Sequence, residues 1–77
     1  ESAMYLYPNP CHTKLVICDI PSDILSYQIF DIHGKLMKVG YISQTEVTIK
    51  TGDLPSGIYV LSLYSKDECT HLKFIKQ

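Results

Sequence analysis

The residues of this chain with the greatest chemical capacity are three cysteines and three histidines. Thiolate and imidazole groups are ligands that zinc prefers, and zinc clusters usually contain cysteines separated by two to four residues. The sequence has no such pair, so we predict no metal site and no cofactor. An odd number of cysteines leaves at least one thiol free or paired with another molecule. The six residues are Cys11, Cys18, Cys69, His12, His33 and His71.

A nucleophilic active site needs a serine or cysteine, a histidine and a carboxylate held together. All of these residue types occur here, but none lies in a recognisable motif such as G-x-S-x-G. A chain of 77 residues also leaves little room for a pocket that excludes water. We therefore predict that the chain is not an enzyme.

The sequence around these groups is typical of strands separated by turns. Short runs rich in Ile, Val, Tyr, Thr and Leu alternate with turn residues. The predicted strands are residues 4–7, 14–19, 26–32, 36–41, 46–50, 57–64 and 69–75. No helical pattern long enough to connect parallel strands separates them. We expect an all-β fold, an immunoglobulin-like antiparallel β-sandwich, which is only marginally stable because so short a chain buries a small core.

Two of these strands allow a more detailed prediction. In strand 46–50, Val47 and Ile49 should face the core, and Glu46, Thr48 and Lys50 should face solvent. Strand 57–64 is apolar on both faces, which is typical of a central strand that is buried on both sides.

Composition and charge argue against two classes of partner. The net charge is −1, and the basic residues form no stripe of the kind that nucleic-acid binders show. No apolar run approaches the roughly 18 residues that span a bilayer, so we predict no membrane insertion. Residues 1–3 are interpreted as a linker or cloning remnant, and residues 4–77 as the domain.

Six tyrosines and no tryptophan suggest an alternative function. Tyrosine rings can stack on sugars, so the chain could be an accessory carbohydrate-binding or adhesion module of a secreted protein. Tyrosine is also a common strand residue with an apolar body and a polar tip, and packing within the sheets is the simpler explanation. Weak association of two copies, through an edge strand or a cysteine, is a third hypothesis. The tyrosines are Tyr5, Tyr7, Tyr27, Tyr41, Tyr59 and Tyr64.

Four segments follow one another in an order that carries more information than any one of them. They are YPNP at 7–10, IFDIHGKLM at 29–37, DLPSGIYVL at 53–61 and KFIKQ at 73–77. The prolines of the first segment remove two backbone donors and fix an extended turn. In the second segment, an aspartate can accept hydrogen bonds from backbone N–H groups, and a glycine supplies the positive φ of a tight hairpin. The structural residues of these two motifs are Pro8, Asn9, Pro10, Asp31, Gly34 and Lys35.

The order, spacing and position of these segments resemble the C-terminal sorting domain of the type IX secretion system, in its type A form. The resemblance spans the chain from about Met4 to Gln77. It implies an immunoglobulin-like sandwich that follows an N-terminal cargo domain in a precursor exported by Bacteroidetes-type bacteria. The cargo would cross the periplasm to the cell surface or the medium. The secretion machinery of the outer membrane would recognise the domain, and a surface sortase would remove it.

The same resemblance places the recognition determinants mainly in the last two segments. They are Leu54, Pro55, Gly57, Ile58, Tyr59, Lys73, Phe74, Ile75 and Lys76. Lys73 and Lys76 should lie on opposite faces of the last strand. Lysines at a sheet edge can prevent aggregation, or they can steer an acidic receptor towards the domain. The cysteines are not part of the family pattern, and a bridge within one chain or between two copies is left open.

Overall fold

The computed structural model describes residues 4–77, which form seven strands and no helix. The interpretation of residues 1–3 as a linker lies outside the described residues. The strands are β1 (Tyr5–Tyr7), β2 (Lys14–Cys18), β3 (Ser26–Asp31), β4 (Leu36–Tyr41), β5 (Val47–Lys50), β6 (Gly57–Tyr64) and β7 (Cys69–Lys76). Every predicted strand is present. The alternation of residues within each strand and the turn residues on either side of it both indicate its position.

The strands form two antiparallel sheets. One sheet has the order β1-β2-β5 and the other has the order β4-β3-β6-β7. All neighbouring strands run antiparallel. The predicted immunoglobulin-like β-sandwich is confirmed. Since an antiparallel pair needs only a short turn, the chain can build seven strands from so few residues.

The core lies between the two sheets. The three-stranded sheet contributes Leu15, Ile17 and Ile49 to it. The four-stranded sheet contributes Ile29, Tyr59, Leu61, Leu63 and Phe74. Val47 packs against this core and its neighbour Thr48 is exposed, as the alternation predicts. Each fully buried aliphatic side chain contributes about 1.5–3 kcal/mol of transfer free energy.

The prediction that β6 is buried on both faces is correct for the core face and for Ser62 on the outer face, but not for the start of the strand. The strand is central, since it lies between β3 and β7. Leu61 and Leu63 face the core and are fully buried, but Ile58 on the other face is exposed. An apolar strand cannot show from its own residues whether a second layer covers it, and within residues 4–77 nothing covers this end of its outer face.

The three cysteines form no bond with one another. Cys11 and Cys18 are buried and Cys69 is exposed. The thiol of Cys11 lies 3.7 Å from the hydroxyl of Thr51, at the base of the turn that precedes β6. Within residues 4–77, no helix is long and apolar enough to cross a membrane.

The hairpin between β3 and β4 is closed by an aspartate and a glycine. One carboxylate oxygen of Asp31 accepts the backbone N–H of His33 at 2.8 Å and that of Lys35 at 2.9 Å. Gly34 has a φ of 85°, a conformation that costs little only for glycine. The hydrogen bond from Lys35, assisted by that from His33, holds the pKa of Asp31 below its ordinary value of 3.8.

This hairpin should make the domain acid-sensitive in a defined range. Because the pKa of Asp31 is lower in the folded chain than in the unfolded chain, its stabilising contribution is complete well above pH 3.8. The contribution is lost as the pH falls through the folded-state pKa. We expect Asp31→Asn to lose less stability than the wild type between about pH 5 and pH 2.5 in urea unfolding experiments. Equal losses in the two proteins would contradict this role of the carboxylate.

Candidate recognition site

The last two motifs meet at one end of the four-stranded sheet. Strands β6 and β7 pair along their whole length, with Tyr59 opposite Phe74 and Ile58 opposite Ile75. The turn that precedes β6 lies beside the C-terminal end of β7. The structure therefore brings together all nine residues to which the resemblance assigns partner recognition, although they belong to two separate segments.

Two aromatic rings form the inner side of this site. The rings of Tyr59 and Phe74 stack with centroids 5.6 Å apart and an interplanar angle of 21°. The Tyr59 hydroxyl donates a hydrogen bond to the carbonyl oxygen of Pro55, four residues earlier. Burial raises the pKa of Tyr59, so the hydroxyl keeps the proton that it donates. The pair anchors the DLPSG turn to the core.

Lys76 also points inward. Its side chain is only 8% exposed, and its Nζ donates to the carbonyl oxygen of Leu54 at 3.1 Å. Leu54 is itself buried, and its N–H donates to the carbonyl of Thr51 at 3.0 Å. The turn that precedes β6 is thus tied to β7 through one ammonium group and to its own start through a backbone hydrogen bond. The sequence suggests two roles for the lysines, which are prevention of aggregation at a sheet edge and attraction of an acidic receptor. Both roles require an exposed amine, so neither explains Lys76.

The YPNP segment covers the backbone edge of β7, which the sequence did not indicate. The side-chain oxygen of Asn9 accepts the N–H of Ile75 at 2.9 Å. The N–H of Cys11 donates to the carbonyl of Ile75 at 2.8 Å, and the N–H of Gln77 donates to the carbonyl of Cys11 at 2.9 Å. An asparagine between two prolines was the available signal, since its side chain can replace a missing backbone partner. The first and last motifs therefore support each other.

Exposure divides the nine candidate residues into two groups. Leu54, Tyr59, Phe74 and Lys76 are buried, and they hold the turn, β6 and β7 together. Pro55, Gly57, Ile58, Lys73 and Ile75 are exposed. Only the second group can contact a partner without unfolding of the domain.

The hairpin motif lies next to the third motif. A shallow cleft of about 300 Å³ is lined by residues of both, among them His33, Met37 and Ser56. Close by in the sequence, Asp53 forms an ion pair with Lys38 of β4 at 3.0 Å. The hydrogen bond from Lys38 lowers the pKa of Asp53, so this carboxylate stays charged at neutral pH. The pair links the DLPSG turn to β4.

A polar cluster lies at the other end of β7, away from these motifs. The Ser62 hydroxyl is 2.8 Å from Nδ1 of His71, and Nε2 of the same ring is 3.5 Å from the Cys69 thiol. Within residues 4–77, no three side chains of His, Cys, Asp or Glu are placed to hold a metal ion.

The tyrosines differ in how far they pack within the sheets. Tyr59 is buried, as sheet packing predicts, but Tyr41 on the edge strand β4 is 92% exposed. Tyr5 and Tyr7 are also exposed, and their rings stack with centroids 6.1 Å apart. Tyr41 lies in a different sheet from the Tyr5–Tyr7 pair.

Comparison with known proteins agrees with this architecture. The family model of the secretion system C-terminal sorting domain matches residues 5–77. Among solved structures, the chain resembles part of PorZ, described as an essential bacterial surface component of the type IX secretion system of Porphyromonas gingivalis. The two are 24% identical and superpose with a TM-score of 0.83, over 96% of this chain and 11% of the P. gingivalis chain. The superposition shows a shared fold. No curated protein matches the sequence.

Proposed function

Because the chain belongs to the family of secretion system C-terminal sorting domains, we propose that it directs a cargo protein across the outer membrane by the type IX secretion system. The cargo would be the N-terminal part of the same precursor. The family is one of sorting domains and not of enzymes, which supports the proposal that other proteins recognise the domain and that it acts as a signal and not as a catalyst. After export, a surface sortase would remove the domain from the cargo at the cell surface.

One observation supports this proposal most directly. The two motifs to which the resemblance assigns recognition pair with each other through β6 and β7, at one end of one sheet. Their buried members fix the backbone, and Ile58, Lys73 and Ile75 project from the same outer face. We propose that the exposed members contact the secretion machinery and that the buried members hold them in place.

An export assay tests the proposed function. Residues 1–77 would be fused to the C-terminal end of a periplasmic reporter in a bacterium with a type IX system, and surface reporter would be measured by protease accessibility. We expect surface reporter with the intact domain and periplasmic reporter after deletion of residues 73–77. A host that lacks the secretion machinery provides the control, and it should retain both fusions. Export of the deleted fusion at the intact rate would contradict the proposal.

A further inference from the structure

The outer face of the four-stranded sheet is apolar at the end where the β3–β4 hairpin lies. Ile29 and Leu61 face the core, so their neighbours Phe30 and Val60 face outward. Phe30 of β3 lies opposite Leu36 of β4 on one side and opposite Val60 of β6 on the other. Val60 in turn lies opposite Lys73 of β7. A row of outward side chains therefore crosses all four strands.

Three further residues extend this row. Ile58 and Ile75 face each other across β6 and β7, and Val39 lies further along β4 on the outer side. We call the resulting surface the apolar face, and it consists of Phe30, Leu36, Val39, Ile58, Val60 and Ile75. The exposed fractions are 45% for Leu36, 60% for Val39, 46% for Ile58 and 43% for Ile75.

A continuous apolar surface of this kind differs from scattered exposed side chains, which every protein has. Contiguous exposed apolar residues usually mark an interaction site. The two recognition motifs do not account for all of it, because Leu36 and Val39 come from β4. The apolar face thus joins residues of β3 and β4 to the exposed residues of the two recognition motifs.

Charge indicates what kind of partner fits. Within the four described strands, Lys73 is the charged residue on the outer side, and no aspartate or glutamate projects there. A second copy that docked through the same face would bring a lysine and no carboxylate. A partner that combines apolar contacts with a carboxylate opposite Lys73 would be complementary in both respects.

We propose that the apolar face, with Lys73 at its end, docks an apolar and acidic surface of the outer-membrane secretion machinery. This inference depends on the proposed function and extends its contact site beyond the last two motifs to β3 and β4. Leu36 and Val39 are the decisive residues, because they lie outside the last two motifs and the fold does not need their burial.

The export assay with the full reporter fusion tests this surface. Leu36→Thr and Val39→Thr together keep residues that strands accept while removing apolar surface. We expect the rate of export to fall by about fivefold or more, as when side chains that contribute to binding are removed from an interface. Tyr5→Thr is the control, since Tyr5 is an exposed strand residue of the other sheet and lies outside the apolar face. Thermal unfolding of each purified domain should show that all variants remain folded.

Lys73 tests the charge of the partner. Lys73→Glu should reduce export more than Lys73→Gln, because it places like charges together. Equal export by both variants and the wild type would exclude an acidic partner.

Export of the Leu36/Val39 double variant at the wild-type rate would overturn the apolar face as a contact while leaving the sorting function intact. Retention of the wild-type fusion in the periplasm would overturn both. Dimerisation of the purified domain that the double variant abolishes would identify a second copy as the occupant and would also overturn the proposal.

Discussion

Phe74→Ala should lower the free energy of unfolding by about 3–5 kcal/mol. The Phe74 side chain is fully buried and stacks on Tyr59, so the substitution leaves a cavity and removes an aromatic contact. The total stability of a small domain is about 5–15 kcal/mol, and this loss is a large part of it. Urea unfolding followed by circular dichroism would measure the change.

The neighbouring residue provides the control for this experiment. Ile75 is in the same strand and motif but points outward, and Ile75→Ala should change the free energy of unfolding by less than about 1 kcal/mol. Equal destabilisation by the two substitutions would contradict the orientation of β7. If the prediction is correct, reduced export of a Phe74 variant reports loss of the fold, whereas reduced export of an Ile75 variant reports loss of a contact.

This distinction changes how a recognition motif is interpreted. The segment KFIKQ alternates between residues that the core needs and residues that a partner can reach. A family can therefore share a motif because the fold needs some of its residues and because a partner can reach the others. The residues of such a motif should not be treated as a single contact surface. Partner contact is proposed for the exposed residues, and the buried ones act through the position of the backbone.

The strands could be predicted from the sequence because their cause is local. Alternating apolar residues in β5 and turn residues on either side of each strand indicate where the strands lie. Among the strands, the error concerned the outer face of β6. Ile58 and Val60 are apolar enough for a buried layer, but whether such a layer exists depends on residues elsewhere in the chain.

The details of the candidate site depend on contacts between distant segments. Asn9 caps β7 from 66 positions away, and Lys76 meets the Leu54 carbonyl across 22 positions. The local sequence around Asn9 marks it as a possible backbone partner but does not name the strand that it meets. The burial of Lys76 has no local signal, because lysine is seldom buried unless it is paired. The resemblance implies which segments take part in recognition, and the structure separates their buried residues from their exposed ones.

The two lysines of the last strand test most directly the distinction between buried and exposed residues of the candidate site. Lys76→Met keeps much of the side-chain volume but removes the donor to the buried carbonyl of Leu54. An unsatisfied buried carbonyl costs about 1–3 kcal/mol, and we expect a loss of stability of that size in urea unfolding. Lys73→Met, on the exposed face, should change stability by no more than about 0.5 kcal/mol. A Lys76→Met domain that is as stable as the wild type but fails in export would show that this ammonium group acts on a partner and not on the fold.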